Sequence, residues 1–220
     1  MLKAYKNLTL AIVNLVNAPR GQTYSQYRDK LLLKPEPRQQ LIEIAQRVIT
    51  SQLAQSTHGE LSLRLPSDSL AITARDSALD RLAETDIITC SMVIGKSVGL
   101  APRHLDWHRL IYNQTAAQSV LFCQPCYALT LANAGLLPQP RLAVEIFESI
   151  ANVTLLPMDD LFDTNLAKTV TQHHTVLIPQ FGALVWGHSL VDVLGRAGAL
   201  EYVSQLTSIA YQTGLGPKYS

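Results

Sequence analysis

The chain has 220 residues, room for one large domain or two small ones that bury about 70% of their unfolded surface. Hydrophobic residues make up 47% and charged residues 16%, with a formal net charge of +1 and no basic block, which predicts an extensively buried globular protein and speaks against nucleic-acid binding. No apolar run approaches the roughly 20 residues of a membrane span; residues 1–16 lack a small-residue cleavage site and three cysteines are too few for a disulfide scaffold, so a reducing cytoplasm is the expected setting.

Residues 2–17 carry Leu8, Leu10, Ile12, Val13, Leu15 and Val16 among polar positions and predict a helix. Pro19 and Gly21 end it. Residues 21–37 are polar and basic, and Pro35 and Pro37 favour extended backbone, so 1–37 is expected to be an N-terminal helix and connector arm. The main domain is expected over 38–220. It opens with a helix over 38–55, whose stripe is Leu41, Ile42, Ile44, Ala45, Val48, Ile49 and Leu53.

Residues 60–65 alternate polar and apolar with period two, a half-buried strand. A turn at 66–69 leads to a partner strand at 70–73. A helical turn is expected at 79–83, a strand at 86–94, a loop to 102 and a helix at 103–113 with Leu105, Leu110 and Ile111 inward. A short buried strand at 119–122 runs into Cys123-Gln124-Pro125-Cys126, and Pro125 suits the first turn of a helix over 125–134. Residues 142–150 and 153–156 should hold at least one strand, and 159–172 a helix. Strands at 175–178 and 183–186 flank Pro179-Gln180-Phe181-Gly182. The longest helix, 189–212, should bury Leu190, Val193, Leu194, Ala197, Leu200, Val203, Leu206 and Ile209. Hairpins interleaved with helices predict a mainly antiparallel sheet covered by helices.

Four patches, in order, carry a resemblance. They are His58-Gly59-Glu60-Leu61-Ser62-Leu63-Arg64 with Leu70-Ala71-Ile72-Thr73; Pro102-Arg103-His104-Leu105-Asp106-Trp107-His108 with Tyr112; Ser119 to Pro125; and Leu177 to Gly187. Together they resemble the class II aldolase/adducin family, which includes zinc-dependent fuculose- and rhamnulose-phosphate aldolases. The resemblance implies an α/β fold in three αβα layers, a mostly antiparallel central sheet, and a homotetramer with its small-molecule site between subunits. It places Cys123, Pro125 and Phe181 at the three zinc-histidine positions, and Pro and Phe have no side-chain lone pair to offer a metal. It places His104 at the acid/base glutamate. Pro102 and Arg103 fall at two phosphate-contacting serines, and Glu60 at a phosphate-binding asparagine. Ser62 and Thr73 are retained, and Arg75 falls in the phosphate loop.

His104 and His108 lie four apart and share a helix face, with Cys123 and Cys126 after fourteen intervening residues. A relocated zinc held by His104, Cys123 and Cys126 is one possibility; packing of His108 and burial of the thiols is the other. Cys123-Gln124-Pro125-Cys126 also has thioredoxin-type spacing, without a surrounding βαβ unit. Arg75 and Arg103 could hold an anion, or pair with Glu60 or Asp76. His173 and His174 are expected at the surface; Trp107, Trp186 and Tyr112 in packing. The expectation is a degenerate family member with no cofactor and no zinc-dependent aldol chemistry. It would bind a small anionic ligand, through Ser62, Thr73, Arg75, Arg103 and Cys123, or a protein partner. The alternative is a divergent aldolase- or epimerase-type lyase on a small carbonyl compound, using His104 as acid/base or the relocated zinc.

Overall fold

A computed structural model describes residues 35–96, 98–150, 152–157 and 164–214. The expected helix at 2–17 lies outside them. The first described helix, α1, is Pro35–Thr50, so Pro35 and Pro37 start a helix rather than an extended arm. Proline costs nothing in a first turn, where its missing N–H would have no partner anyway. Gln52, with φ of 57°, turns the chain out of the helix.

Seven strands follow: β1 Glu60–Leu65, β2 Ser69–Thr73, β3 Ile87–Ser91, β4 Ser119–Cys123, β5 Val153–Leu155, β6 Thr175–Ile178 and β7 Gly182–Gly187. They form one sheet in the order β3-β2-β1-β4-β7-β6-β5. Every pair is antiparallel except β5 with β6. The helices are α2 Leu105–Gln114, α3 Cys126–Asn133, the short α4 Phe147–Ile150, α5 Thr164–Gln172 and α6 Leu190–Gln212. Of the two stretches expected to supply a strand, 153–156 does so as β5, while 142–150 makes 3₁₀ turns and α4.

Strand alternation sorts the core into two layers. Leu61, Ala71, Leu121, Cys123, Leu177, Ala183 and Val185 pack with α1, α3 and α6 on one face. Leu70, Ile72, Val120, Phe122, Val176, Ile178, Leu184 and Trp186 pack with α2 and α5 on the other. This is the expected three-layer αβα arrangement. Each fully buried Leu or Ile contributes about 1.5–3 kcal/mol. The buried stripe of α6 departs from expectation: Ile209 is 45% exposed, while Ser204 and Thr207 are buried. Their hydroxyls donate to the carbonyls of Leu200 and Val203 at 2.7 Å, which satisfies them inside the helix.

Candidate functional site

Helix α2 runs along β1, and the two repeats mesh. Four helical residues rise about 6 Å and two strand residues about 6.8 Å, so every fourth side chain of α2 meets every second one of β1. His104 meets Glu60, with Nδ1 2.8 Å from Oε1. His108 meets Ser62, with Nδ1 2.7 Å from Oγ. Tyr112 lies under Arg64, whose guanidinium is 4.9 Å from the ring centroid. Arg64 also donates to the carbonyl of Tyr112 and, at 3.1 Å, to that of Thr115, closing the helix C-terminus.

Glu60 closes the other end. His104 is the N-cap of α2 and makes no cap bond with its own side chain. Its amide donates to both carboxylate oxygens of Glu60 at 3.2 Å, a negative charge placed at a helix N-terminus. Burial alone would raise the Glu60 pKa. The hydrogen bond from the His104 ring and the His108 imidazole at ion-pair distance outweigh it and hold the carboxyl at about 2.

Behind Glu60 is a fully buried polar chain. Tyr112 Oη is 2.7 Å from Ser62 Oγ. Ser62 Oγ reaches His108 Nδ1, and His108 Nε2 stands 3.6 Å from Glu60 Oε2, at ion-pair but not hydrogen-bonding distance. One donor order serves them all: Tyr112 O–H to Ser62, Ser62 O–H to His108 Nδ1, and His108 Nε2–H toward Glu60. His104 then donates from Nδ1, which leaves its Nε2 as an acceptor.

In front of Glu60 is a cavity of about 300 Å³. The pairing of Glu60 with Phe122 across β1 and β4 puts both side chains on its wall. The His104 ring packs against Phe122 with centroids 4.3 Å apart, stacks on Trp107 at 4.2 Å, and meets Phe181 edge-on at 6.4 Å. Phe181 sits on a tightly held β6–β7 turn. Its amide bonds to Ile178 O at 3.1 Å, Gln180 N bonds to Asn133 Oδ1 at 2.6 Å, and Gln124 Nε2 bonds to Phe181 O at 2.9 Å. Gly182 is required here: its φ is +148°, and a Cβ would lie 2.2 Å from Cys123 O.

Arg75 and Arg103 both line the cavity and are exposed. Arg75 Nε donates to Ala101 O at 2.9 Å. Arg103 has no hydrogen-bond or ion-pair partner among the described residues. Neither pairs with Glu60. The other expected ligand contacts lie elsewhere: Ser62 is inside the polar chain, and the buried Thr73 hydroxyl accepts from Leu61 N at 3.2 Å.

Cys123 is fully buried on the opposite face of the sheet from Phe122 and His104. Burial pushes its thiol well above the thiolate range, and Cys126 is exposed at the start of α3. The structure therefore does not assemble His104, Cys123 and Cys126 into a metal site. Among the described residues, no three His, Cys, Asp or Glu side chains are grouped to hold one. Two strand residues that face the same side must be two apart. At the end of β4 the cavity-facing pair is Phe122 and Gln124, one residue off from the expected Cys123 and Pro125. A zinc ion fits this set poorly: Phe122 and Phe181 have no donor atom, so the set offers only His104 Nε2 and Gln124 Oε1, short of the three protein ligands of a catalytic zinc site. Gln124, Gln180, Thr57 and His58 also line the cavity; His58, Gln124 and Gln180 lie within the patches that carry the resemblance, but none of the four was expected as a site residue. The half-buried His173 and exposed His174 line a separate cavity of about 220 Å³ with His188 and Arg196. No described helix is long and apolar enough to cross a membrane.

The Class II Aldolase and Adducin N-terminal domain model matches residues 39–208. No curated protein matches. Solved structures do. L-fuculose-1-phosphate aldolase from Thermus thermophilus is 21% identical, with a TM-score of 0.72 over 84% of this chain and 99% of that one. L-fuculose 1-phosphate aldolase from Glaciozyma antarctica is 16% identical, with a TM-score of 0.68 over 93% and 82%. A sugar-phosphate aldolase from Thermotoga maritima is 16% identical, with a TM-score of 0.67 over 81% and 96%. At these identities the likeness carries the fold.

Proposed function

Because the chain belongs to the class II aldolase/adducin family, we propose that it keeps the family's cavity as a binding site for a small anionic ligand and has given up zinc-dependent aldol chemistry. The observation that carries this reading is the wall of Phe122, Gln124 and Phe181 beside the cavity cations Arg75 and Arg103. A retro-aldol cleavage needs an electron sink for the enediolate, which zinc supplies as a Lewis acid in the family's zinc enzymes. The side chains at the two metal segments of this chain are poor zinc ligands. Two guanidiniums, one of them unpaired, suit an anion with forked oxygens. Homo-oligomerisation goes with this reading, since Val93, Ile94 and Leu100 expose apolar side chains on the segment leading to Pro102.

The test is calorimetric titration with 2-phosphoglycolate, zinc analysis of the purified protein, and a cleavage assay on a panel of sugar phosphates. Binding weakened about tenfold by Arg103→Ala, without cleavage, is the expected result; a lost hydrogen bond to a charged group costs about 1.5–3 kcal/mol. Stoichiometric zinc with turnover overturns the proposal.

A further inference from the structure

The aromatic wall narrows the ligand class. Three rings border one side of the cavity: His104, Phe122 and Phe181. Each is held before any ligand arrives. The imidazole is fixed at Nδ1 by Glu60 and stacked from behind by Trp107. Phe122 is 3% exposed within β4. Phe181 rides on the turn bonded to Ile178, Asn133 and Gln124. A rigid platform of this kind loses little side-chain entropy on binding.

A sugar hydroxyl laid against those faces would shed water and gain no hydrogen bond from them. A flat unsaturated ring would instead gain offset-stacked or edge-on contact. Ring faces also attract cations, but Arg75 and Arg103 lie on the same cavity. Two carboxylates, Glu60 and Asp76, line the cavity as well, but Glu60 is turned to the amide and ring of His104, whereas the Arg103 guanidinium has no partner among the described residues and is open to an anion. At about 300 Å³ the cavity is at the small end of ligand sites.

We propose that the ligand is a small aromatic carboxylate, its ring against the half-buried Phe181 and His104, which Phe122 backs from within β4, and its carboxylate on Arg75 and Arg103. The proposal rests on the anion-binding reading above. It is tested by titrating the full-length protein with benzoate, with cyclohexanecarboxylate of the same charge and similar size, and with 2-phosphoglycolate. Benzoate should bind about two- to tenfold tighter than cyclohexanecarboxylate, the range that ring-on-ring contact supplies. Phe181→Ala and Phe181→Leu should both collapse that ratio toward one, with far-UV circular dichroism verifying that each variant is folded. Equal affinity for the two carboxylates, or a ratio that survives both substitutions, overturns the aromatic assignment. If 2-phosphoglycolate still binds in that case, the anion site stands alone; if no anion binds, both readings fall.

Discussion

Glu60→Gln tests the electrostatic centre of the site. The carboxyl is pulled from an ordinary 4.5 to about 2, so its ionised form is favoured by folding. That stability is complete above the unfolded pKa of 4.5 and is lost as pH falls toward 2. The full difference converts to about 3 kcal/mol at 1.36 kcal/mol per unit, and the titration equation places about 2 kcal/mol of it between pH 6 and pH 3. The side chain is only 11% exposed, so solvent screens little of this. Urea unfolding at pH 6, 4 and 3 reads it. Other carboxylates titrate in the same window, so the quantity of interest is the difference between wild type and variant. Wild type should lose about 2 kcal/mol more than Glu60→Gln between pH 6 and pH 3, the two converging as Glu60 protonates and comes to resemble the amide. Parallel losses would falsify the view that His104 and His108 hold Glu60 ionised.

Other perturbations follow from the same packing. Ser62→Ala strands His108 Nδ1 and Tyr112 Oη in a fully buried setting and should cost about 1–3 kcal/mol in chemical denaturation. Gly182→Ala forces a Cβ to 2.2 Å from the Cys123 carbonyl at a φ of +148°; it should lower the thermal midpoint by several degrees or more, a cost of about 1–3 kcal/mol. In native protein a thiol reagent should label Cys126 alone. Cys123 and Cys90 are buried, and burial holds the Cys90 thiol at about 11, so both should react only after denaturant is added. Labelling of Cys123 in the native state would contradict its placement behind the sheet.

Where polar and apolar residues divide between two faces, the sequence displayed the element. The alternation in Glu60-Leu61-Ser62-Leu63-Arg64-Leu65 announced β1, although its polar face is covered by α2 rather than half-exposed as expected, and the stripe from Leu41 to Val48 announced α1. Where both faces are apolar, the signal lost its phase. Ser119 to Cys123 is buried at every position, so nothing local says which residues face the cavity. That is why Cys123 was expected at the cavity that Phe122 and Gln124 line: only the long-range pairing of Glu60 with Phe122 decides which side chains face it. The stripe of α6 was ambiguous for a similar reason, since its neighbours select Ser204 and Thr207 over Ile209. Parallel pairing of the three-residue β5 with β6 has no local signature at all.

The placement of the site itself was written in two periods at once. His104, His108 and Tyr112 recur every four residues; Glu60, Ser62 and Arg64 recur every two. Either set alone reads as an ordinary helix face or strand face. Set side by side, their rises differ by less than about 1 Å per repeat, and each pairing is chemically matched: imidazole with carboxylate, imidazole with hydroxyl, ring with guanidinium. The second pair is buried and hydrogen-bonded, and the third is part-buried with Arg64 over the Tyr112 ring and bonded to the end of α2, so they fix how α2 lies on β1. The first pair, at the open end, inherits that alignment and presents His104 to the cavity with one nitrogen already spent. Shifting α2 by a single residue would break all three pairs together, and it is this shared register, rather than the Glu60 contact by itself, that holds the imidazole against Phe122 and Phe181.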